Sequence, residues 1–514
     1  MAQLRKGKEE LESRLGFPLA EPKGPVPLAR AALPEPRIPI PRPLSRFATQ
    51  DRYQRAFHAH GCSFAEVVAG FEGRFPHAPD LVLFPATERH LEAALEWCSA
   101  NGVAVVPFGG GTSVVGGVLP AVGDRYNAAV SLDLNRLRGI SELDTVSLSA
   151  RVKAGTAGPQ LEEELRPHGL AFRHYPQSFQ FSTVGGWVAT RAAGHYGTGP
   201  THIEDRVEGV VAVTPAGAWR SRRLPASGAG PSPDRLLAGS EGVLGVITEV
   251  WLKVVRRPEL RARLAVSFPG FFEGCDYLRE ALQADLVPTT CRLLDEQERA
   301  LSFPGKGAVL LLSFERRGEG AERQARAELS RAAALAKGFG GRVLSREVGE
   351  GRPEAEAAYR EAFFAGPYLR DLLIHYGAIA ETFETAITWE RLPALHEAVY
   401  AAAREAFGEE GFRLSCRLTH AYPDGAAPYF TVVGPSRHGE QVDRWLAVKE
   451  GVSRAILGAG GTITHHHAVG RDHLPYYLSQ RPEPFAAALA AAKRALDPGW
   501  IMNPGVLLAA DLKG

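Results

Sequence analysis

The feature that most constrains this chain is a glycine-dense loop placed directly after an apolar run. Residues 103–118 read VAVVPFGGGTSVVGGV, with three consecutive glycines followed by Thr112, Ser113 and two more glycines. Glycine is used where φ must be positive or where another group approaches the backbone closely. A row of bare amides also favours an anion such as a phosphate. The loop therefore predicts a phosphate-binding turn after a strand, or a glycine-rich turn without a ligand.

The loop lacks both common nucleotide-binding motifs. No glycine in it is followed by Lys and then Ser or Thr, as a P-loop requires, and G-x-G-x-x-G occurs nowhere in the chain. Two further glycine-dense stretches follow, PQSFQFSTVGGWVATRAAG at 176–194 and GSEGVLGVITEV at 239–250. Three such loops, each next to a strand-like run, could line one long polar ligand that contains a diphosphate and two rings.

Composition excludes several classes of protein. A chain of 514 residues with 45% hydrophobic residues can bury a large core in two or more domains. A net charge of +1 provides no bulk field to recruit nucleic acid. Five scattered cysteines without a C-x-x-C pair argue against a disulfide framework or a zinc knuckle, and fit a reducing compartment. No membrane span or secretory signal is apparent, so we expect a cytoplasmic protein.

The pattern along the chain predicts four segments. Residues 1–79 hold an amphipathic helix and a proline-rich stretch, either wrapped on another domain or acting as a flexible tether. Residues 80–257 mix short strands with few helices, and residues 258–460 read as a second domain with longer helices. Residues 461–514 carry a histidine run and a helix. The mixed order of strands and helices predicts an α+β fold.

Particular stretches carry a family resemblance. PFGGGTS, STVGGWVATRAAG and EGVLGVITE together resemble the FAD-binding domain of the vanillyl-alcohol oxidase superfamily, also called the PCMH-type fold. Four later stretches are similar to the alkyldihydroxyacetonephosphate synthase family: CRLLDEQ from 291, YLRDLLIHYGAIAETFETAITW from 368, CRLTHAYPDGAAPYF from 416 and GGTITHHHAVGRD from 460. The resemblance runs from about residue 45 to the end. It implies noncovalent FAD, a PCMH-type FAD domain in two parts, and an α+β cap domain, with residues 461–514 returning to the FAD domain.

The resemblance also implies which residues bind FAD. They are Pro107, Phe108, Gly109, Gly110, Gly111, Thr112, Ser113, Gln177, Ser178, Phe179, Gln180, Phe181, Ser182, Thr183, Thr190, Arg191, Ala192, Ala193, Glu241, Gly242, Val243, Leu244, Gly245, Val246 and Ile247. The chain departs from the family pattern at Gln177, where Asp is usual. It departs again at Pro428 and Ala468, and Arg471 keeps a basic residue in the following segment.

Two arginines and a tyrosine carry the chemistry that the resemblance implies. Tyr429 is the acid–base group, able to serve if nearby positive charge lowers its pKa, and Arg370 and Arg292 bind the substrate. A guanidinium suits a phosphate because it donates in a bidentate fork. From the residues alone, Arg370 is equally an ion-pair partner of Asp371, and a tyrosine in a strand-like run is usually part of a core.

The histidine run completes the implied catalytic set. In extended geometry His465 and His467 would share one face of a strand, with His466 on the other. Two histidines on one face can ligate zinc. No cysteine or carboxylate partner occurs at motif spacing, so we expect hydrogen bonding or proton transfer and no metal.

The family's reaction exchanges the acyl group of acyl-dihydroxyacetone phosphate for a fatty alcohol, through an adduct at flavin N5 and without net redox change. FAD-linked 2-hydroxy-acid dehydrogenases of the D-lactate or glycolate type share the glycine loops, but usually have Glu-His where this chain has three histidines. A flavin-binding scaffold without catalysis is a third hypothesis. The partners that follow are a small-molecule phosphate ester or hydroxy acid. A homodimer and a peripheral contact with a membrane stay open, and no nucleic acid partner is expected.

Overall fold

The computed structural model describes residues 1–196, 198, 202–302, 304–349 and 368–509. The chain forms two compact units, each assembled from separate stretches of sequence. The first unit comprises Met1–Gly24, Gly194–Thr201 and Arg257–His465. The second unit comprises Pro25–Ala193, His202–Arg256 and His466–Gly514. Within the described residues, no helix combines the length and the apolarity needed to cross a membrane.

The helices are numbered in chain order. They are α1 Ala2–Leu15, α2 Arg52–Phe57, α3 Phe64–Phe71, α4 Glu88–Ala100, α5 Gly158–Leu165, α6 Val184–Thr190, α7 Pro233–Leu237, α8 Phe271–Gln283, α9 Glu296–Ser302, α10 Ala321–Lys337, α11 (described over 368–374), α12 Leu392–Phe407, α13 Gln441–Gly458, α14 Leu474–Gln480 and α15 Glu483–Leu496.

The strands follow the same convention. They are β1 Ala48–Thr49, β2 Leu81–Leu83, β3 Val103–Phe108, β4 Ala128–Asp133, β5 Ile140–Asp144, β6 Ser149–Lys153, β7 Leu170–Ala171, β8 Val207–Thr214, β9 Gly217–Arg220, β10 Val246–Lys253, β11 Val255–Arg256, β12 Leu260–Phe268, β13 Thr290–Leu294, β14 Ala308–Arg316, β15 Arg342–Gly349, β16 Ile379–Glu384, β17 Ile387–Thr388, β18 Arg413–Ala421 and β19 Gly425–Gly434.

The second unit contains two main sheets. One has the order β1-β2-β4-β3, in which β2, β4 and β3 run parallel, and the other is antiparallel with the order β5-β6-β10-β8-β9. Strand β3 is an apolar run buried along nearly its whole length, as expected for a parallel strand covered on both faces. Strand β10 alternates buried and half-buried positions over its C-terminal half, as an antiparallel strand with one exposed face does. The glycine loop leaves the end of β3.

The C-terminal segment is built into the second unit. Val105 of β3 donates its amide to the Ile501 carbonyl over 2.7 Å and accepts from the Asn503 amide over 2.8 Å. Ile501 and Met502 lie in the same apolar cluster as β2, β3 and β4. Residues almost four hundred positions apart in the chain therefore form one sheet edge, next to the glycine loop.

The first unit is built on one antiparallel sheet with the order β15-β12-β14-β13-β18-β19-β16, in which β17 also pairs with β19. Directly opposed residues share a face, and neighbours along a strand alternate. Leu293, Phe430 and Phe383 therefore point to one face, where α8, α12 and α13 pack: Gly274 approaches Leu293, the His396 ring lies 5.9 Å from Phe430, and Lys449 lies 5.7 Å from the Phe383 ring. The opposite face carries the polar residues.

This architecture confirms the expected α+β, PCMH-type fold. One local expectation is wrong: residues 465–467 form consecutive bends instead of an extended strand. The peptide groups around His465 bond to a side chain, since its amide donates to the Glu384 carboxylate over 2.5 Å. In a strand, the His465 amide would donate to a carbonyl of the neighbouring strand. Here the Glu384 carboxylate accepts it instead, so the backbone can turn at this point.

Candidate functional site

Three of the four predicted FAD-binding segments of the second unit meet where the loop that follows β3 contacts residues 177–183 and 241–247. A Cβ at Gly110 would collide with the Phe181 carbonyl oxygen, and one at Gly109 would collide with the Thr183 hydroxyl. Gly242, with φ +78°, packs so closely on Pro107 that a Cβ there would lie 2.9 Å from its ring. These glycines are needed because the segments approach one another at backbone distance.

The remaining segment joins through backbone hydrogen bonds. The Glu241 amide donates to the Ala189 carbonyl over 2.8 Å, and the Gly239 amide donates to the Val188 carbonyl over 2.9 Å. These bonds connect the end of α6 to the loop before β10. Residues 190–193 begin at the last residue of α6, and Arg191 lies in the left-handed region at φ +51°. All four predicted segments thus lie together in one unit.

The amides of the first loop are available for a ligand. Gly109, Gly110, Gly111, Thr112 and Ser113 are all half-buried. Their backbone N–H groups donate to no acceptor within the part of the chain that the structure describes. The Ser113 hydroxyl accepts the Gly117 amide over 2.9 Å, which leaves its own proton to donate. Buried amides need acceptors. The loop therefore fits the diphosphate of a dinucleotide, which supplies several oxygens.

Several side chains in these segments already have protein partners. The Ser182 hydroxyl accepts from the Trp187 indole over 2.7 Å, and the Thr190 hydroxyl donates to the Gly186 carbonyl over 2.8 Å. Arg191 pairs with Glu204 over 2.6 Å. These contacts hold the segments in shape, so Ser182, Thr190 and Arg191 are better placed to present their backbone than their side-chain groups.

Glu241 connects the loop before β10 to the C-terminal segment. Its carboxylate accepts the amides of Val469 and Gly470 over 2.9 and 2.8 Å. The side chain is buried, and this burial raises the pKa of Glu241 to about 7, although the two amides act in the opposite direction. Glu241 therefore acts on the site by fixing the loop, and its carboxylate is committed to that contact.

A buried lysine fixes the same loop from the other side. Lys493 donates to the Val243 carbonyl, to the Asp497 carboxylate and to the Met502 carbonyl, each within 2.7 Å. Asn503 donates to the carbonyl of Glu241 over 2.7 Å. The loop before β10 is thus held by two side-chain bonds from the C-terminal segment, one from Lys493 and one from Asn503.

The first unit presents a row of polar side chains on the face of its sheet that lies opposite the packed helices. Tyr429 of β19 is paired directly with Arg417 of β18 and with Glu384 of β16. Arg292 of β13 lies on the same face, since Leu294, two residues later, pairs with Arg417. Cross-strand neighbours on one face are about 5 Å apart at Cβ. The sheet register therefore places two predicted site residues, Tyr429 and Arg292, in one row.

Tyr429 is nearly enclosed, with 6% of its surface exposed. The guanidinium carbon of Arg417 lies 4.2 Å from the centre of its ring. Burial raises the pKa of Tyr429, and the charge of Arg417 offsets this only partly. The condition that nearby positive charge lowers this pKa is therefore not met, because loss of hydration outweighs the nearby cation. At neutral pH Tyr429 is protonated.

Glu384 connects the row to the histidine run. Its buried carboxylate accepts the His465 amide over 2.5 Å and the Thr464 hydroxyl. The His465 ring bonds through Nε2 to the Tyr422 hydroxyl over 2.7 Å, and it lies 4.8 Å from the His420 ring. His465 is therefore held by its backbone and by its ring. His466 and His467 belong to the second unit, with ring centroids 4.7 Å apart.

The two predicted substrate arginines have different surroundings. Arg292 is buried, and its Nη2 bonds to Nδ1 of His195. Arg370 lies in α11 and pairs with its neighbour Asp371 over 2.8 Å. The ion pair that the residues alone allowed for Arg370 is thus present. Asp371 is partly exposed, so a phosphate could displace it from the guanidinium.

Sequence reasoning missed Arg417, Glu384, Tyr422 and His195. Arg417 and Tyr422 lie inside the stretch CRLTHAYPDGAAPYF, in which the resemblance marks only Tyr429. The signal that could have found Arg417 is its place in that strand, with a polar residue at every second position. Glu384 becomes visible only when the strands are in register, and His195 only through its contact with Arg292 of β13.

Comparisons with known proteins agree with this arrangement. A family model described as FAD binding domain matches residues 79–221, and one described as FAD linked oxidases, C-terminal domain, matches residues 257–507. The alkyldihydroxyacetonephosphate synthase of Caenorhabditis elegans is 30% identical over 488 residues, which cover 88% of this chain and 80% of the relative. That of Dictyostelium discoideum is 28% identical over 477 residues, covering 89% and 78%. A solved alkyldihydroxyacetonephosphate synthase structure is similar with a TM-score of 0.80 at 22% identity, covering 98% of this chain and 90% of that one.

These matches agree with the unpaired amides of the glycine loop in assigning FAD as the cofactor. The likeness to the solved structure shows that the fold is shared. The identity to the nematode protein extends over four fifths of that relative and includes both units. The chain belongs to the alkyldihydroxyacetonephosphate synthase family.

Proposed function

We propose that this protein is an FAD-dependent synthase that exchanges the acyl group of acyl-dihydroxyacetone phosphate for a fatty alcohol. The ester oxygen leaves with the acyl chain as a fatty acid, and the alcohol oxygen forms the new ether bond. When bound, FAD supplies the nucleophilic centre of this substitution, with no net change in its oxidation state.

The residues of the chain have separate tasks in this proposal. The amides of 109–113 hold the diphosphate of FAD, because they have no protein acceptor among the described residues. Arg370 binds the phosphate of the substrate, and Arg292 holds it from the sheet. A guanidinium binds a phosphate with paired hydrogen bonds, which fixes orientation as well as charge.

Tyr429 moves the proton in this proposal. Its pKa is raised by burial, so its Oη is protonated at neutral pH and enters the reaction as an acid. The resulting phenolate then takes a proton back. His465, held by Glu384 and Tyr422, is in a fixed position to accept or donate a hydrogen bond, and we propose the same task for His466 and His467.

The observation that carries the proposal is the cross-strand row. Tyr429, which the family resemblance marks as catalytic, lies on the same sheet face as Arg292, with Glu384 as its direct neighbour. Glu384 also binds the amide of His465. A tyrosine that only filled the core would not need to share its face with so many charged groups.

The test supplies the holoenzyme with acyl-dihydroxyacetone phosphate and an isotope-labelled fatty alcohol under anaerobic conditions. We expect labelled ether product and free fatty acid in equal amounts, while the flavin stays oxidised. Bleaching of the flavin by D-lactate or glycolate, without ether formation, would instead support the 2-hydroxy-acid dehydrogenase. Absence of both reactions from an FAD-loaded protein would favour a scaffold.

A further inference from the structure

The inference concerns Arg417, which the family resemblance does not mark. Arg417 lies directly opposite Tyr429 on the neighbouring strand, and its guanidinium carbon is 4.2 Å from the ring centre. A cation within about 6 Å of a ring face is attracted to it, more strongly when water is excluded. Only 9% of Arg417 and 6% of Tyr429 are exposed, so this pair is screened little by solvent.

The guanidinium is fixed from its other side. Arg417 donates through Nη1 to Glu298 over 2.8 Å, and Glu298 also accepts the Ser415 hydroxyl over 2.8 Å. Glu298 lies in α9, whose first turn is anchored by Asp295: that carboxylate accepts the amides of Glu298 and Cys416 over 2.7 and 2.6 Å. Helix α9, which is bonded to β18, therefore fixes the position of the Arg417 guanidinium over the Tyr429 ring.

Among the residues that the structure describes, two carboxylates also act on the pKa of Tyr429. Glu384 and Glu381 of β16 both act to raise its pKa, whereas Arg417 and a hydrogen bond with Thr382 act to lower it. Glu381 accepts from the Trp445 indole and lies 3.8 Å from the Lys449 ammonium. Glu384 is engaged by Thr464 and by the His465 amide. Among the described residues, Arg417 is thus the cation that lowers the pKa of Tyr429 against two carboxylates that raise it, of which Glu384 shares its sheet face.

We propose that Arg417 is the positioning residue for Tyr429: it clamps the ring by its face and stabilises the phenolate that remains when the phenol has given up its proton. When the O–H bond breaks, the proton passes to the substrate and the electron pair stays on Oη, beside a fixed positive charge. This inference rests on the proposed acid–base role of Tyr429, but the clamp itself is a property of the folded protein.

The experiment titrates position 429 without relying on activity. A single 3,5-difluorotyrosine, whose phenol is more acidic than that of tyrosine, replaces Tyr429 in the holoenzyme, and its ionisation is followed by fluorine NMR. We expect R417Q to raise the titration midpoint by about one pH unit or more, because a cation within 4–6 Å is removed. R417K keeps a charge without the planar contact, so its midpoint should rise by less.

The matched control is R261Q. Arg261 pairs across β12 and β14 with Glu315 over 2.8 Å, in the same sheet but away from Tyr429. This variant loses a cross-strand ion pair and should leave the midpoint where it is. If R417Q refolds poorly, the comparison between R417K and R261Q still decides the question.

Three outcomes are distinguishable. An unchanged midpoint in both Arg417 variants, or an equal rise in R261Q, would overturn the proposal. A rise confined to the Arg417 variants, with kcat reduced at least tenfold and KM little changed, supports it together with the proposed function. The same rise in a protein whose Y429F variant remains fully active supports the clamp and removes Tyr429 from the mechanism.

Discussion

At the scale of single residues, burial has more influence on this site than the choice of titratable groups. Tyr429 sits beside a cation and still has a raised pKa, because hydration is lost on nearly all sides. Residues that look alike in sequence differ for the same reason: Arg292 is buried and bonded to His195, whereas Arg370 pairs with the more exposed Asp371. The type of a side chain limits which reactions it can take part in, and its surroundings decide whether its pKa is raised or lowered and which partner it binds.

The first prediction concerns Tyr429→Phe. The ring and its contact with Arg417 are kept while the proton at Oη is lost, so FAD content should stay normal. We expect kcat to fall by about 100-fold or more, which is the usual contribution of an acid–base group. Flavin absorbance and steady-state kinetics measure the two effects, and an unchanged kcat would refute the acid–base role.

The second prediction separates substrate binding from structure at Arg370. Arg370→Ala should weaken binding of the phosphate-bearing substrate by roughly 10-fold to 100-fold, in line with 1.5–3 kcal/mol for a charged hydrogen bond. Asp371→Asn is the control, since it removes the ion pair and keeps the guanidinium. If both variants lose the same affinity, or if FAD is lost in parallel, Arg370 is structural.

At the scale of elements, the site depends on loops that need glycine and on a helix that needs a buried acid. The loop after β3 and the loop before α6 touch through backbone atoms, which leaves no room for a Cβ at Gly110. Helix α9 has Asp295 at its start, where a carboxylate accepts amides that the helix itself leaves unpaired. The glycine contact holds the loop after β3, and the Asp295 carboxylate holds helix α9, in the positions that the site requires.

The third prediction tests the loop contact. Gly110→Ala must push residues 107–113 away from Phe181, so we expect loss of bound FAD and a colourless protein. The control is Gly228→Ala, because a Cβ at Gly228 meets nothing within 4 Å. Absorbance at the flavin band after purification gives the result. A yellow Gly110→Ala protein would mean that this contact is dispensable for the cofactor.

The fourth prediction concerns pH and Asp295. Burial raises its pKa from 3.8 to about 7, so the folded state holds this proton more tightly than the unfolded state. The resulting stabilisation is complete below about pH 4 and disappears as the pH rises through 7. Between those values wild type should lose on the order of 3–4 kcal/mol more than Asp295→Asn. Urea unfolding at several pH values measures the slope, and parallel slopes would contradict the assignment.

At the scale of the whole molecule, each unit is assembled from distant parts of the chain. The second unit closes only when residues near 500 return to pair with β3 and to hold the loop before β10. Lys493 makes this return specific, since its buried ammonium donates to two backbone carbonyls and to Asp497. Burial lowers the pKa of Lys493 to about 8.

The fifth prediction follows from that lysine. Lys493→Met leaves the Asp497 carboxylate buried without its cation, which should cost roughly 3–5 kcal/mol of unfolding free energy and loosen FAD. Adding Asp497→Asn should restore part of the loss, because the uncompensated charge is then gone. Thermal unfolding and FAD release measure both variants. Additive losses in the double variant would show that the two residues are not coupled.

The fold class and the three glycine-dense loops could be predicted from the sequence because glycine spacing and apolar runs are local signals. The strand before the first loop and the α+β class were predicted in this way, FAD was predicted from the family resemblance, and all three are confirmed. The bend at His465 could not be predicted, because it depends on a carboxylate 81 positions away that takes the amide a strand would have used. The contacts of Tyr429 could not be predicted for a related reason, because Arg417 and Glu384 lie on other strands that only the sheet register brings next to it.

Sequence alone determined where backbone segments come close to other groups, since only glycine permits it, and it marked Tyr429, the arginines and the histidines by resemblance. Tertiary structure decided what surrounds them. Glu298 is 119 positions from Arg417, and strand register alone brings Arg417 and Glu384 to either side of one phenol. Pairing across a sheet is fixed by the packing of its two faces, which no short stretch of sequence contains.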